Sequence, residues 1–178
     1  MNILILGASG FIASNFSNYL KKHSNFRVYN ASRKISSINN FHYNLGDEPL
    51  YEIDFDYVFH FSYDFNFDNE NNNVSKTVKT MSHFYKLGVK KQVFISSYSA
   101  HKYSQSLYGQ NKYRIEKFIK SLNDNNSNII IRPGLVVGDG GLYKKISKWV
   151  IKYKMLLLPY GRKKNIPFIF SDDLNYHM

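Results

Sequence analysis

The chain has 178 residues, 43% of them hydrophobic, with 15 tyrosines and 14 phenylalanines and no cysteine; this suits one domain with a real core and excludes disorder, disulfides, thiolate metal sites and a cysteine nucleophile. No apolar run approaches the ~20 residues of a membrane span, and Met1-Asn2 run straight into a strand pattern without a signal peptide, so a cytoplasmic protein is expected. The formal net charge is +11, and eight basic residues with no acidic one lie between Gly140 and Ser171: Lys144, Lys145, Lys148, Lys152, Lys154, Arg162, Lys163 and Lys164. That stretch reads as a solvated face, as a surface for an anionic phosphorylated substrate, or as a nucleic-acid patch. No stacking motif or recognition helix accompanies it, which leaves nucleic acid the weakest of the three readings.

In chain order, the apolar run Ile3-Leu4-Ile5-Leu6 meets Gly7-Ala8-Ser9-Gly10-Phe11-Ile12-Ala13. This reads as a buried strand, a tight glycine turn and the start of a helix. Gly7 lets the backbone turn, and Gly10 lets it approach a ligand. The helix N-terminus then offers free N–H groups and the positive end of its dipole to a pyrophosphate. The spacing G-x-x-G-x-x-A is a dinucleotide fingerprint with Ala13 as the third small residue. Ile12, Phe16 and Leu20 continue at helical spacing.

A second strand, 26–31, ends in Ser32-Arg33-Lys34. An acid at this point bonds the adenosine 2′-hydroxyl, whereas an arginine accommodates a 2′-phosphate. Ser32 with Arg33 therefore favours NADP, with NAD as the alternative. Short strands are expected at 41–45 and 57–62. His60 reads as a packed strand residue, since no second histidine or acid stands at metal spacing, and no metal site is expected. Val74, Val78, Met81, Phe84, Tyr85 and Leu87 mark a helix face closed by Gly88. Strands at 93–97 and 128–132 flank a helix at 108–122 whose Ile115, Phe118, Ile119 and Leu122 face inward. Alternating strands and helices imply a parallel, doubly wound sheet with right-handed crossovers. Ligands bind such sheets beyond the carboxyl ends of the strands, where Gly7, Ser62, Ser97 and Pro133 fall.

Tyr108-Gly109-Gln110-Asn111-Lys112 is a Y-x-x-x-K. Residues four apart share a helix face. An ammonium ~4 Å from the phenol would stabilise phenolate by ~4 kcal/mol, or ~3 pKa units, at an effective dielectric of ~20. Tyr108 would then serve as general acid/base near neutrality. Ser97 can hydrogen-bond the same substrate oxygen. The reaction implied is hydride transfer between a nicotinamide and a carbinol carbon.

With GASGFIA, DYVFHFS, VKKQVFISS, YGQNK and IIIRPGLVVGDG, the chain resembles the extended short-chain dehydrogenase/reductases, in particular the NAD-dependent epimerase/dehydratase branch acting on nucleotide sugars. The resemblance implies a Rossmann-type α/β fold. Residues 1–138 would form the dinucleotide-binding domain, and 139–178 a reduced, basic C-terminal substrate-binding segment with a last strand-like stretch near Phe168–Leu174. It implies Ser97, Tyr108 and Lys112 as catalytic residues, with Lys112 also on the cofactor ribose. Gly7, Ser9, Gly10, Phe11 and Ile12 would line the pyrophosphate, Asn44 and Leu45 the adenine, and Phe61 and Ser62 the nicotinamide ribose, with Pro133 also a cofactor-binding residue. A nucleotide-diphosphate sugar is the implied substrate, and a homodimer the implied assembly. Two departures bear on substrate. Only residues 98–107 separate Ser97 from Tyr108, and the chain stops at Met178, soon after Asp172-Asp173-Leu174. The alternative reading is a non-catalytic or truncated NADP(H)-binding module.

Overall fold

Strand β1 (Asn2–Leu6) is buried on both faces, and its alternation assigns each residue a side. Ile3 and Ile5 pack with Phe16, Leu20, Phe59, Val93 and Ile95. Leu4 and Leu6 pack with Ala31, Tyr43, Val58 and Phe84. A run apolar at four consecutive positions, Ile3 to Leu6, is what a parallel sheet covered by helices on both faces requires. Each such side chain contributes about 1.5–3 kcal/mol on burial.

The computed structural model describes residues 1–33, 40–49, 51–66, 72–122, 128–154 and 165–178. After β1 come α1 (Phe11–His23), β2 (Arg27–Ser32), β3 (Asn40–His42), β4 (Tyr57–His60), α2 (Asn73–Lys86), β5 (Lys91–Ile95), α3 (Leu107–Ser121) and β6 (Asn128–Ile131). The chain then forms β7 (Leu135–Val137), α4 (Gly141–Tyr153), β8 (Phe168–Phe170) and α5 (Ser171–His177). Strands β1 to β6 make a sheet in the order β3-β2-β1-β4-β5-β6, with every pair parallel. This is the doubly wound Rossmann arrangement. Strand order reverses between β1 and β4, and the crevice beyond that point is where such sheets bind ligands.

Most expected elements are present, with boundaries shifted by one to three residues. The fourth strand stops at His60, so Phe61 and Ser62 lie beyond its carboxyl end, and the fifth stops at Ile95, so Ser97 does too. Tyr85 and Leu87, expected on the buried face of α2, are exposed; Thr77, Thr80, Met81 and Phe84 are among the buried residues there. The late strand does not extend the main sheet. β8 pairs in parallel with β7 in a separate two-stranded sheet, and Ser171–His177 is a helix, so Asp172 and Asp173 lie in its first turn. Helix α5 returns to α1, with Leu174 and Asn175 buried and Met178 against the first core cluster.

Candidate functional site

Gly7 has φ +82°, a conformation that side chains rarely adopt, and a Cβ there would sit 2.8 Å from Ser62 Oγ and 2.9 Å from its Cα. Only glycine lets the end of β1 pass this close to the segment after β4. Gly7 N–H and Ala8 N–H donate to the Ala31 carbonyl, and Gly10 N–H donates to the Gly7 carbonyl, which closes the turn. Helix α1 starts at Phe11 with Gly10 as its extended N-cap, and no side chain caps it. The first intrahelical bond runs from Ser14 N–H to the Gly10 carbonyl, so the N–H groups of Phe11, Ile12 and Ala13 have no acceptor within the helix. Ser9 and Gly10 are exposed. An uncapped helix end behind an exposed, glycine-rich backbone fits a pyrophosphate.

Phe11 closes one side of this turn. A Cβ on Gly140 would overlap the Phe11 ring, 2.5 Å from its Cγ, and one on Gly138 would lie 2.8 Å from it. The run Gly138-Asp139-Gly140-Gly141 is a glycine seat for that ring, and it places the start of α4 beside the start of α1. No residue of α4 is buried. Its Leu142, Ile146, Trp149 and Tyr153 are exposed, and Lys145, Lys148 and Lys152 face solvent, while Lys144 pairs with Asp139 at 2.7 Å. Arg162, Lys163 and Lys164 lie outside the described residues, as does Lys34. Arg33 is exposed just past β2. Asn44 and Leu45 lie past β3 in a turn in which Asn44 N–H donates to Asp47 Oδ2 at 2.7 Å.

The Y-x-x-x-K residues sit in the first turns of α3. Ser106 caps this helix, its Oγ accepting from Gly109 N–H at 3.1 Å. Ser97 is near enough to Tyr108 to pull the phenol's pKa down against burial, and Ser97 Oγ meets Ser99 Oγ at 3.0 Å. The Tyr63 ring packs edge-on against Tyr108 at 4.8 Å between centroids. Contact is therefore continuous from Gly7 through Ser62 and its neighbour Tyr63 to Tyr108. The expected residues Gly7, Ser62, Ser97, Tyr108 and Lys112 gather beyond β1, β4 and β5. Pro133 joins them through its carbonyl, which accepts from Tyr98 N–H at 2.9 Å.

Lys112 corrects one expectation. Its Nζ donates to the Ile95 carbonyl at 2.6 Å and lies 4.5 Å from the Phe94 ring centroid and 5.7 Å from that of Tyr108. The ammonium thus donates to the strand backbone. Burial pulls the Lys112 pKa down to about 7, against an upward push from Glu116. The phenol pKa of Tyr108 is raised, not lowered, because burial outweighs the downward pull of the nearby Ser97. At neutral pH Tyr108 is a protonated donor. His60 is a packed strand residue: it is 3% exposed, its Nε2 meets Gln92 Oε1 at 2.9 Å, and burial lowers its pKa to about 4.

Three features of the site have no counterpart in the motifs. Gly109 admits the 98–106 loop, since a Cβ there would overlap Ser104 Oγ and lie 2.5 Å from the Ser99 carbonyl oxygen. Tyr63 and Phe65 wall Tyr108, with Phe65 stacked on it at 5.7 Å. Glu116, 1% exposed, binds Ser96 and Arg132. The available sign was its spacing, four residues beyond Lys112.

The sequence model of the NAD dependent epimerase/dehydratase family matches residues 3–175. The chain belongs to that family. Three solved structures illustrate its fold. ADP-L-glycero-D-manno-heptose-6-epimerase of Helicobacter pylori superposes with a TM-score of 0.77 at 17% identity, over 98% of this chain and 70% of that one. The human epimerase family protein SDR39U1 (isoform 2), solved with NADPH, gives 0.73 at 18% identity, over 98% and 68%. UDP-glucuronic acid 4-epimerase of Bacillus cereus, in complex with NAD, gives 0.70 at 18% identity, over 98% and 70%. No curated protein matches the chain by sequence. Among the described residues of this epimerase/dehydratase-family chain, no helix is long and apolar enough to cross a membrane.

Proposed function

We propose that the protein is a nicotinamide-dependent enzyme of the epimerase, dehydratase or reductase type. It acts on a nucleotide-diphosphate sugar through Ser97, Tyr108 and Lys112. The observation that carries this reading is the packing of Tyr108 against Tyr63, whose neighbour Ser62 abuts the glycine turn at Gly7. Gly7, Ser9, Gly10, Phe11 and Ile12 would hold the pyrophosphate of the cofactor. Asn44 and Leu45 would lie at the adenine, and Phe61, Ser62 and Pro133 at the nicotinamide end. Arg33, with Ser32 where an acid would select NAD, favours NADP. When bound, the nicotinamide supplies the hydride acceptor and donor.

The chain's own residues handle the proton and the developing charge. Tyr108, protonated in its buried setting, gives its proton to a substrate carbonyl oxygen and recovers one from the corresponding hydroxyl. Ser97 donates to the same oxygen and stabilises charge there. Lys112, poised near neutrality, places a positive charge behind the phenol as it becomes phenolate. The exposed lysines of α4, starting beside the Phe11 seat, supply the positive field that an anionic sugar nucleotide requires.

The test is a screen of UDP-, ADP-, GDP- and dTDP-sugars with NADPH or NADP, following nicotinamide absorbance for net reduction, mass for loss of water, and NMR of the sugar for epimerisation. Tyr108→Phe should retain cofactor binding and lose ~10²–10⁴ of the rate. Turnover unchanged in Tyr108→Phe would overturn the assignment. Cofactor binding without turnover of any sugar would favour a non-catalytic module.

A further inference from the structure

Two consecutive residues at the end of β5 hold two residues on one line of α3. The Ile95 carbonyl accepts from Lys112, and Ser96 Oγ donates to Glu116; Ser97 follows, near Tyr108 one turn earlier on the same line. Tyr108, Lys112 and Glu116 are each four residues apart, one helical turn after another. Glu116 is also gripped from the end of β6, where Arg132 Nε donates to Oε1 at 2.7 Å and Nη2 pairs with Oε2. A carboxylate only 1% exposed is costly to bury and is tolerated only when paired and hydrogen-bonded. Glu116 lies a full turn deeper than Lys112, away from the Tyr108 end of the line.

We propose that Glu116, clamped by Arg132 and Ser96, is a positioning residue that keeps the buried Lys112 ammonium charged and so sets the pH range in which Tyr108 works. The catalytic consequence rests on the Ser97-Tyr108-Lys112 reading; the electrostatic one does not. Lys112 is faced by Tyr108 and Glu116 on α3, by His60 on β4, by Tyr63 after it, and by the Phe94 ring and Ile95 carbonyl on β5. His60 is neutral at physiological pH, and Arg132 is spent on Glu116. The carboxylate that acts on Lys112 is therefore that of Glu116, which opposes the loss of charge that burial drives.

The experiment is a pH titration of the Lys112 ¹³Cε resonance in lysine-labelled protein, assigned by its loss in Lys112→Arg. Wild type should titrate near 7. Glu116→Gln should lower the midpoint by about one unit or more, and Glu116→Asp should restore most of it. Where Glu116→Gln fails to fold, the double variant Glu116→Gln/Arg132→Gln removes both charges without stranding one, and the midpoint should fall by less than in the single variant, since the cation that opposes the lysine charge goes too. A folded variant with lower thermal stability and an unmoved midpoint would overturn the proposal by reducing Glu116 to a structural clamp. The midpoint is read without substrate or cofactor. Failure of the enzymatic reading, seen as absent cofactor binding in wild type, is thus separate from failure of the clamp.

Discussion

Lys112 donates from Nζ to the Ile95 carbonyl at 2.6 Å and is 2% exposed, so an ammonium is anchored to the strand beneath the site. Its pKa falls from the ordinary lysine value to about 7 because burial penalises the charge. Between about pH 7 and that ordinary value the unfolded chain binds the proton more tightly than the folded one. Stability from this group therefore rises with pH across that window. Lys112→Met should raise the melting temperature near pH 6 to 7, flatten the rise at alkaline pH and remove turnover. A melting profile of the two proteins from pH 6 to 10 measures this. A variant less stable than wild type at pH 6 would count against it.

His60 predicts acid sensitivity. Its folded pKa of about 4 lies below the unfolded value, so the unfolded state binds more protons between about pH 4 and 6.5. Stability is complete above that window and is lost as pH falls through it. In His60→Gln this dependence should shrink, at some cost at pH 7 from the altered Gln92 contact. Parallel pH-melting curves for both proteins would reveal no difference in slope if the histidine were already charged in the fold.

Gly109 predicts a steric requirement inside Y-x-x-x-K. A side chain here would begin on top of Ser104 Oγ and 2.5 Å from the Ser99 carbonyl oxygen, so Gly109→Ala must push the 98–106 loop off α3. The expected cost is about 1–3 kcal/mol, with turnover impaired through Ser97 and Tyr108. Urea denaturation reads the first effect. A neutral substitution would mean that the loop does not pack there.

The sheet was legible because a parallel strand announces itself: Ile3-Leu4-Ile5-Leu6 is apolar at every position, and each position is buried. The glycine turn was legible because Gly7 and Gly10 meet backbone demands that few residues satisfy. The line of Tyr108 and Lys112 followed from helical spacing. The direction of the phenol shift did not, since spacing places two residues on a face but leaves open which acceptor a lysine reaches. Here a strand carbonyl captured Nζ, and burial decided the sign. Glu116 looked like any charge on a polar helix until Arg132 was brought to it from β6. Residues 168–174 read as a strand and an acidic pair continuing the sheet; the strand forms at Phe168–Phe170 but pairs with β7 apart from the main sheet, and the acidic pair opens a helix. Apolar patterning determines a strand's character more firmly than its partner.

Phe11 predicts a dependence of the cofactor turn on the Gly138–Gly141 seat. Gly140→Ala would drive a Cβ into the ring and displace Phe11 at the first residue of α1. Cofactor affinity should fall about tenfold with a modest loss of stability, about 1–3 kcal/mol for overpacking. Isothermal titration together with thermal melting separates the two effects. Unchanged affinity in the folded variant would detach the seat from the turn.

Everything proposed for the site depends on the turn from Gly7 to Ile12 holding a nicotinamide dinucleotide in reach of Tyr108. A fluorescence titration of the purified protein with NADPH and with NADH, in wild type and Arg33→Ala, addresses this without any knowledge of the sugar. Saturable binding is expected in wild type, tighter for NADPH, with that preference lost in Arg33→Ala while NADH binding persists. Absence of binding by either dinucleotide, in protein whose circular dichroism and melting show it to be folded, would refute the cofactor site and the enzyme with it.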